Sequence, residues 1–140
     1  MAGSGVVTFE EWVPQPRERV WMALTDPSLL ARWWARGDIA PEVGHRFSMD
    51  MGAWGPSECR VLEVTAGESI SYTFAEGSLD TTVTWNLESQ GSGTRVGLIH
   101  YGFDLDSPAG RQAYEGMGSG WPRVMARISQ ALEEAETNGS

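Results

Sequence analysis

Hydrophobic residues occupy every second position in several short runs between Gly44 and His100, and glycine-rich turns separate these runs. This period is typical of β-strands with one buried face, because successive side chains of a strand point to opposite sides. An earlier run, Val6–Val13, is rich in β-branched and aromatic residues and ends at prolines. Short turns join antiparallel neighbours, so a six-stranded antiparallel sheet is predicted. The five later strands are predicted around the following residues: Phe47, Met49 and Met51; Cys59–Thr65; Ile70, Tyr72 and Phe74; Val83, Trp85 and Leu87; Val96, Leu98 and His100.

Helical patterns lie between the first two strands and after the last strand. Pro16 suits the first turn of a helix, and the segment that follows as far as Thr25 is amphipathic. Asp26 followed by Pro27 is a helix N-cap signal, so a second short helix is predicted to begin there. A last helical segment opens at Ser107-Pro108. Its hydrophobic residues recur at spacings of three and four, typical of one buried face: Trp121, Val124, Met125, Ile128 and Leu132.

Glycines and a proline interrupt this last helical pattern at Gly116, Gly118, Gly120 and Pro122. Each glycine costs about 1 kcal/mol relative to alanine in a helix, and proline removes a helical hydrogen bond. A kink or a restart is therefore expected near Trp121. The polar tail, residues 135–140, is expected to fray.

The 140 residues contain no repeat and no linker, and a chain of this length can bury one sizeable core. We therefore predict a single α+β domain that spans residues 1–140. The apolar face of the sheet must be covered, and the C-terminal helix carries the longest apolar stripe. The sheet is expected to curve around this long helix, with the two short helices placed after the first strand.

Ten Lys and Arg against 19 Asp and Glu give a formal net charge of −9. A field of this sign repels phosphate backbones and anionic lipid surfaces. Neither nucleic acid nor a membrane is therefore expected as a partner, and no stretch reaches the ~18 apolar residues that a membrane span requires. The single cysteine, Cys59, and the lack of a recognisable secretory signal favour a cytoplasmic location.

Aromatic residues and methionines hold most of the predicted inward positions, although smaller residues would fill a core more tightly. Aromatic walls with adaptable methionines suit a pocket for a small apolar or aromatic molecule. An ordinary packed core explains the same pattern, and both interpretations stay open. The predicted ligand-binding residues are Trp34, Phe47, Met49, Met51, Tyr72, Phe74, Trp85, His100, Trp121 and Met125.

Signals for chemistry are few. His45 and His100 are far apart in the sequence and form no metal-binding spacing, so neither a metal site nor a cofactor is predicted. Residues 116–120 lack the spacing of a phosphate loop or a nucleophile elbow and are interpreted as helix-breaking. His100 and Tyr72 have inward strand parity. Either could present a polar group to a ligand, and either could be hydrogen-bonded within a packed core.

Several short motifs, taken in order along the chain, resemble a known family. They are Thr25-Asp26-Pro27, Trp33-Trp34, Val61-Leu62-Glu63-Val64, Gly93-Thr94-Arg95, His100-Tyr101-Gly102-Phe103 and Gly120-Trp121-Pro122. Together they span nearly the whole chain, which resembles the activator of heat-shock-protein-90 ATPase homologue family. This family belongs to the superfamily of START-related lipid-transfer domains, the birch-pollen allergen and polyketide cyclases (SRPBCC). The resemblance implies their helix-grip fold, with a cavity between the sheet and the long helix.

The resemblance leaves three functions to distinguish. The inward aromatic residues favour the first, binding of a small apolar or aromatic molecule in the cavity. The second is a cyclase or aromatase in which His100 moves protons in the same cavity. A single buried histidine without a polar partner is not enough to indicate a catalytic site, so no catalytic residue is assigned.

The third function is stimulation of a chaperone ATPase, which rests on the family's name. The eukaryotic activators carry an additional domain that grips the chaperone, and this chain has no room for one. Chaperone stimulation is therefore not the expected function. The expected partner is a small apolar ligand, and the protein is expected to be a monomer or a homodimer.

Overall fold

The structure is a computed structural model, and it describes residues 4–52, 55–77 and 79–138. The strands are β1 (Ser4–Val13), β2 (Arg36–Gly37), β3 (Arg46–Asp50), β4 (Pro56–Thr65), β5 (Ser69–Phe74), β6 (Thr81–Gln90) and β7 (Gly93–Asp104). The helices are α1 (Arg17–Thr25), α2 (Pro27–Trp33), α3 (Pro108–Met125) and α4 (Arg127–Asn138). The fold class is α+β with two short helices after the first strand, as predicted.

One sheet contains all seven strands, in the order β1-β7-β6-β5-β4-β3-β2, and neighbouring strands are antiparallel. The six predicted strands are present, but the predicted count is one too low because β2 adds a strand. Arg36 and Gly37 of β2 pair with Asp50 and Met49 of β3. A strand of two residues cannot display a period of two, so it gives no signal in the sequence.

The two edges of the sheet differ in length. β2 forms one edge with two residues, whereas β1 forms the other edge with ten. β1 begins at Ser4, slightly before the predicted start at Val6. Its register against β7 shifts between Gly5 and Val6, which is the mark of a β-bulge. The sheet therefore has one long edge that is locally irregular.

Helix α2 begins where its capping signal predicts, and α1 begins at Arg17, directly after Pro16, which is its N-cap residue. The Asp26 carboxylate caps α2 by accepting hydrogen bonds from the backbone N–H groups of Ser28 at 2.8 Å and Leu29 at 3.4 Å. The Ser28 hydroxyl also donates to this carboxylate, and these hydrogen bonds lower the pKa of Asp26. Pro27 occupies the first turn of α2, where its missing N–H leaves no helical acceptor unpaired.

The C-terminal helical region consists of two segments, α3 and α4, which meet at Ala126. The restart expected near Trp121 occurs further along, at Ala126, because α3 continues through Pro122. The Ala126 N–H donates to the Pro122 carbonyl at 3.1 Å, so the helical hydrogen bonds resume after the proline. Trp121 and Met125 are both buried. Their burial outweighs the low helix propensity of the residues around them.

Helix α3 packs against β1 and β7, and α4 packs against α1 and α2. The buried residues of these C-terminal helices include Trp121, Met125, Ile128 and Leu132, which belong to the predicted apolar stripe. They meet the inward residues of the curved sheet in one core. A curved antiparallel sheet that holds a C-terminal helix is the helix-grip fold.

The last helix, α4, extends to Asn138. It therefore includes the backbone of residues 135–138 from the tail predicted to fray, while residues 139–140 lie outside the described part of the chain. Across residues 4–52, 55–77 and 79–138, no helix is long and apolar enough to cross a membrane.

Candidate functional site

The structure brings the ten predicted ligand-binding residues together around one aromatic cluster, but it buries most of them. Eight are at most 5% exposed: Phe47, Met49, Tyr72, Phe74, Trp85, His100, Trp121 and Met125. Trp34 and Met51 are partly exposed. The space between the sheet and the helix is therefore largely filled by side chains of the protein itself, and open space lies at one end of the cluster.

A cleft of about 340 Å³ opens at this end, between the end of α2, the β3–β4 turn and one face of α3. Its walls combine two tryptophans, two methionines and several small residues. The lining residues are Trp34, Ala35, Asp50, Met51, Gly52, Gly116, Met117, Gly120, Trp121 and Val124. Trp34, Met51 and Trp121 are the predicted residues that reach this open space, whereas the other seven pack behind it.

Helix α3 leaves room for the cleft because it carries glycine at two lining positions, Gly116 and Gly120. Residues four apart lie on the same face of a helix. A β-carbon added at either position would meet no atom within 4 Å, so close packing does not require these glycines. Gly118 lies on a different face, where an added β-carbon would contact Val7 of β1 at 3.8 Å. The helix-breaking interpretation of residues 116–120 is wrong, because α3 continues through them.

Trp34 lines the cleft and contacts rings on two sides. Its ring centroid lies 4.9 Å from that of Trp121, with the two planes 61° apart. The centroid of Phe74 lies 5.8 Å away in a stacked arrangement. Ring pairs of this kind stabilise a protein by about 0.5–1.5 kcal/mol beyond the area they bury. These contacts hold the Trp34 ring in place although its side chain is partly exposed.

The indole N–H groups around the cleft differ in whether they have an acceptor. Three donate within the protein: Trp33 to the Ala23 carbonyl at 2.7 Å, Trp85 to the Tyr72 hydroxyl at 2.9 Å and Trp121 to His100 Nδ1 at 3.1 Å. The Trp34 N–H donates to none of the residues that the structure describes. Because Trp34 also lines the cleft, this N–H is the candidate donor for a molecule bound there.

His100 is fully buried, and both of its ring nitrogens are hydrogen-bonded. Nδ1 accepts from the Trp121 indole at 3.1 Å, and Nε2 lies 2.8 Å from the Thr81 hydroxyl. Burial lowers the pKa of His100 to about 3, so the imidazole is neutral at neutral pH. A general acid or base needs a nitrogen that reaches the substrate, and both nitrogens of His100 are occupied in this structure.

Tyr72, the second polar residue predicted to face a ligand, is also fully buried. Its hydroxyl accepts from Trp85, and desolvation raises the pKa of this phenol. The charged residue at the rim of the cleft is Asp50, whose Oδ1 accepts from the Gly52 backbone N–H at 2.9 Å. Within the described ranges, no group of three His, Cys, Asp or Glu side chains could hold a metal ion.

Sequence reasoning misses the small residues that keep the cleft open, namely Ala35, Gly52, Gly116 and Gly120. A signal exists for the last two, because two glycines at helical spacing of four are unfavourable within an otherwise helical segment. Such a pair calls for a reason other than helix stability. The structure supplies that reason by placing both residues on the wall of the cleft.

Known proteins with the same fold support this architecture. A family model described as "Activator of Hsp90 ATPase homolog 1-like protein" matches residues 14–133. The crystal structure of protein MLL2253 from Mesorhizobium loti is 32% identical, covers 92% of this chain and 97% of its own, and superposes with a TM-score of 0.80. Protein BH1534 from Bacillus halodurans is 27% identical over 91% of this chain and 96% of its own, with a TM-score of 0.80.

A more distant neighbour is the Aha1 dimer from Colwellia psychrerythraea, solved in solution. It is 16% identical over 91% of this chain and 96% of its own, and its TM-score of 0.72 shows a shared fold. No curated protein sequence matches the chain. Because the family model covers most of the sequence, the chain belongs to the family of Activator of Hsp90 ATPase homolog 1-like proteins.

Proposed function

We propose that this protein binds a compact, planar apolar or aromatic molecule in the cleft beside Trp34 and Trp121. The observation that carries the proposal is the pair Gly116 and Gly120, which leave one wall open without making a packing contact that needs them. Each glycine costs the helix about 1 kcal/mol relative to alanine. Binding gives a reason for that cost, whereas a fold optimised for stability alone has none.

The lining of the cleft suits such a ligand. Trp34 and Trp121 offer flat ring surface at a low cost in conformational entropy. Met51 from the β3–β4 turn and Met117 from α3 have flexible thioether side chains that adapt to an irregular shape. The Trp34 N–H supplies one donor. A volume of about 340 Å³ lies at the small end of ligand pockets, which favours a compact molecule.

The cyclase-type alternative has less support. It requires His100 as a proton carrier, yet this ring is fully buried and both of its nitrogens have partners. Stimulation of a chaperone ATPase rests on the family's name, and no feature of the cleft bears on it. Binding without catalysis is therefore the function that the geometry supports best.

The remaining parts of the proposal concern assembly and location. The Colwellia neighbour is a dimer, and both a monomer and a homodimer are compatible with a ligand in the cleft of this chain. Static light scattering of the purified protein distinguishes the two. A cytoplasmic location fits the single buried thiol of Cys59, and a net charge of −9 argues against nucleic acid and anionic membranes as partners.

The test uses N-phenyl-1-naphthylamine, an uncharged fluorescent probe built from aromatic rings. A fluorescence titration measures its dissociation constant for the wild-type protein and for two matched variants. Gly120→Ala adds a methyl group inside the cleft, whereas Gly118→Ala adds the same group on the face towards β1. Both substitutions increase helix propensity, so both are expected to raise Tm.

We expect Gly120→Ala to weaken probe binding by about fivefold, because it fills space that the ligand uses. Gly120→Leu reaches further into the cleft and should abolish binding, while Gly118→Ala should bind as the wild type does. Equal affinity of the wild-type and Gly120→Leu proteins would remove the basis of the proposal. A wild-type protein that binds no probe would have the same consequence.

A further inference from the structure

Two tryptophans border the cleft, and their indole N–H groups are in opposite situations. The Trp34 N–H has no acceptor within the described part of the chain, whereas the Trp121 N–H donates to His100 Nδ1 at 3.1 Å. His100 itself does not line the cleft. The hydrogen-bonding groups that the cleft offers to a ligand thus depend on a residue that lies behind its wall.

The direction of each hydrogen bond in this network is fixed by chemistry. An indole can only donate, so His100 Nδ1 must be the acceptor, and the proton of the neutral ring must lie on Nε2. Nε2–H therefore donates to the Thr81 hydroxyl at 2.8 Å, which in turn donates to the Phe74 carbonyl at 3.2 Å. This chain of hydrogen bonds from Trp121 through His100 and Thr81, which we call the relay, ends on the Phe74 backbone carbonyl. A carbonyl oxygen can only accept, so the direction of the relay cannot reverse.

Ring contacts hold His100 in the orientation that the relay needs. The centroid of Phe103 lies 4.5 Å from that of the imidazole, and the centroid of Phe74 lies 5.6 Å away on an edge-to-face contact. If the Trp121 ring turned its N–H towards the cleft, His100 Nδ1 would be left buried without a donor, which is costly in a site shielded from water. The relay thus fixes the ring of Trp121 on α3 relative to the sheet.

We infer that His100 is a specificity-determining positioning residue, which holds the Trp121 N–H away from the cleft so that Trp34 provides the donor that a ligand meets. Trp121 then presents an apolar ring, and the ligand class is a planar aromatic molecule with a hydrogen-bond acceptor at its Trp34 end. This inference rests on the proposed function, since it describes how the same cleft discriminates between ligands.

Two probe ligands of nearly equal shape measure this discrimination, 2-acetylnaphthalene with a carbonyl acceptor and 2-ethylnaphthalene without one. For the wild-type protein we expect about a tenfold preference for the acetyl compound, the effect of one hydrogen bond. Trp34→Phe keeps a ring in the wall but removes the donor. This variant is expected to bind the two compounds equally.

The decisive variant is Trp34→Phe/His100→Leu. Leucine offers no acceptor, so the Trp121 N–H is released and becomes available to the ligand. We expect the preference for the acetyl compound to return. The matched control is Trp34→Phe/His100→Gln, in which the glutamine amide oxygen can still accept from Trp121, and here the preference should stay absent. If His100 had only a structural role, replacing it with leucine would weaken binding of both compounds alike and would not restore the preference for the acetyl compound.

NMR of the ligand-free wild-type protein tests the relay without any variant. The inference can therefore still be refuted if a His100 variant does not fold. We expect His100 to be protonated on Nε2 and the Trp121 indole proton to exchange slowly. A ring protonated on Nδ1 would overturn the inference, as would a folded Trp34→Phe/His100→Leu protein without the preference.

Failure of both naphthalenes to bind the wild-type protein would overturn the proposed function itself, and with it this role for His100. Binding of both compounds with no preference in the wild-type protein would overturn the inference alone.

Discussion

Lowering the pH from 7.5 to 5 should destabilise this protein through His100. Burial lowers the pKa of His100 to about 3 in the folded protein, against an ordinary value of 6.5. Between these values the unfolded chain binds a proton that the folded protein does not, so the free energy of unfolding falls as the pH falls. The full contribution is present above about pH 6.5. From pH 7.5 to 5 the loss sums to about 2 kcal/mol, with a slope that approaches about 1.4 kcal/mol per pH unit.

Urea unfolding followed by tryptophan fluorescence measures this effect for the wild-type and His100→Gln proteins across that pH range. Glutamine keeps an acceptor for Trp121 and a donor for Thr81, but it does not titrate. The carboxylates and His45 are common to both proteins, so the difference between the two pH profiles isolates His100. The stability of the wild type relative to the variant should fall by about 2 kcal/mol between pH 7.5 and 5.

Parallel pH profiles for the two proteins would refute the reasoning. They would mean that the pKa of His100 is the same in the folded and unfolded states, which is incompatible with a buried ring that accepts from Trp121. A wild-type protein that gains stability relative to His100→Gln on acidification would refute it more strongly, because the folded state would then bind the proton more tightly.

Two further predictions concern α2 and the buried thiol. Asp26→Ala removes the side-chain cap of α2 and should lower the free energy of unfolding by about 1 kcal/mol in urea; unchanged stability would contradict the capping role. Cys59 is 2% exposed, and burial raises its pKa to about 12. It should therefore resist an aromatic disulfide reagent in the native protein and react fully in urea, and rapid native reaction would show that the thiol is accessible.

The sequence predicts well those strands and helix ends that depend on residues close together in the chain. The alternation around Val83 and Trp85 gives β6, and Asp26 with Pro27 gives the start of α2, because each signal lies within a few residues. The helix restart is predicted near Trp121, but it lies further along the chain, at Ala126. Local propensity favours a break near Trp121, but burial of Trp121 and Met125 is a long-range effect that keeps α3 continuous.

In the candidate site, too, the local features are predicted from the sequence and the long-range contacts are not. Strand parity correctly turns His100 inward, but its partners come from elsewhere in the chain: Thr81 from β6 and Trp121 from α3. Parity also cannot tell whether inward rings fill the interior or surround a space, since that depends on how all side chains pack together. The open part of the cleft depends on Gly116 and Gly120, where side chains are missing.

The unequal edges of the sheet determine where a second chain could add a strand to it. A free edge strand offers backbone groups to which another chain can add, and such addition is the first step of amyloid-like growth. β2 is too short to act as a template. β1 is long enough, and its pairing with β7 is regular from Val6 to Val13, because the register shift lies at one end of the strand, between Gly5 and Val6. Glu10 and Glu11 place carboxylates along the regular part, and Glu10 lies 3.6 Å from Arg95 of β7. A second copy that approaches this edge with its own β1 therefore meets a carboxylate of its own sign at Glu11.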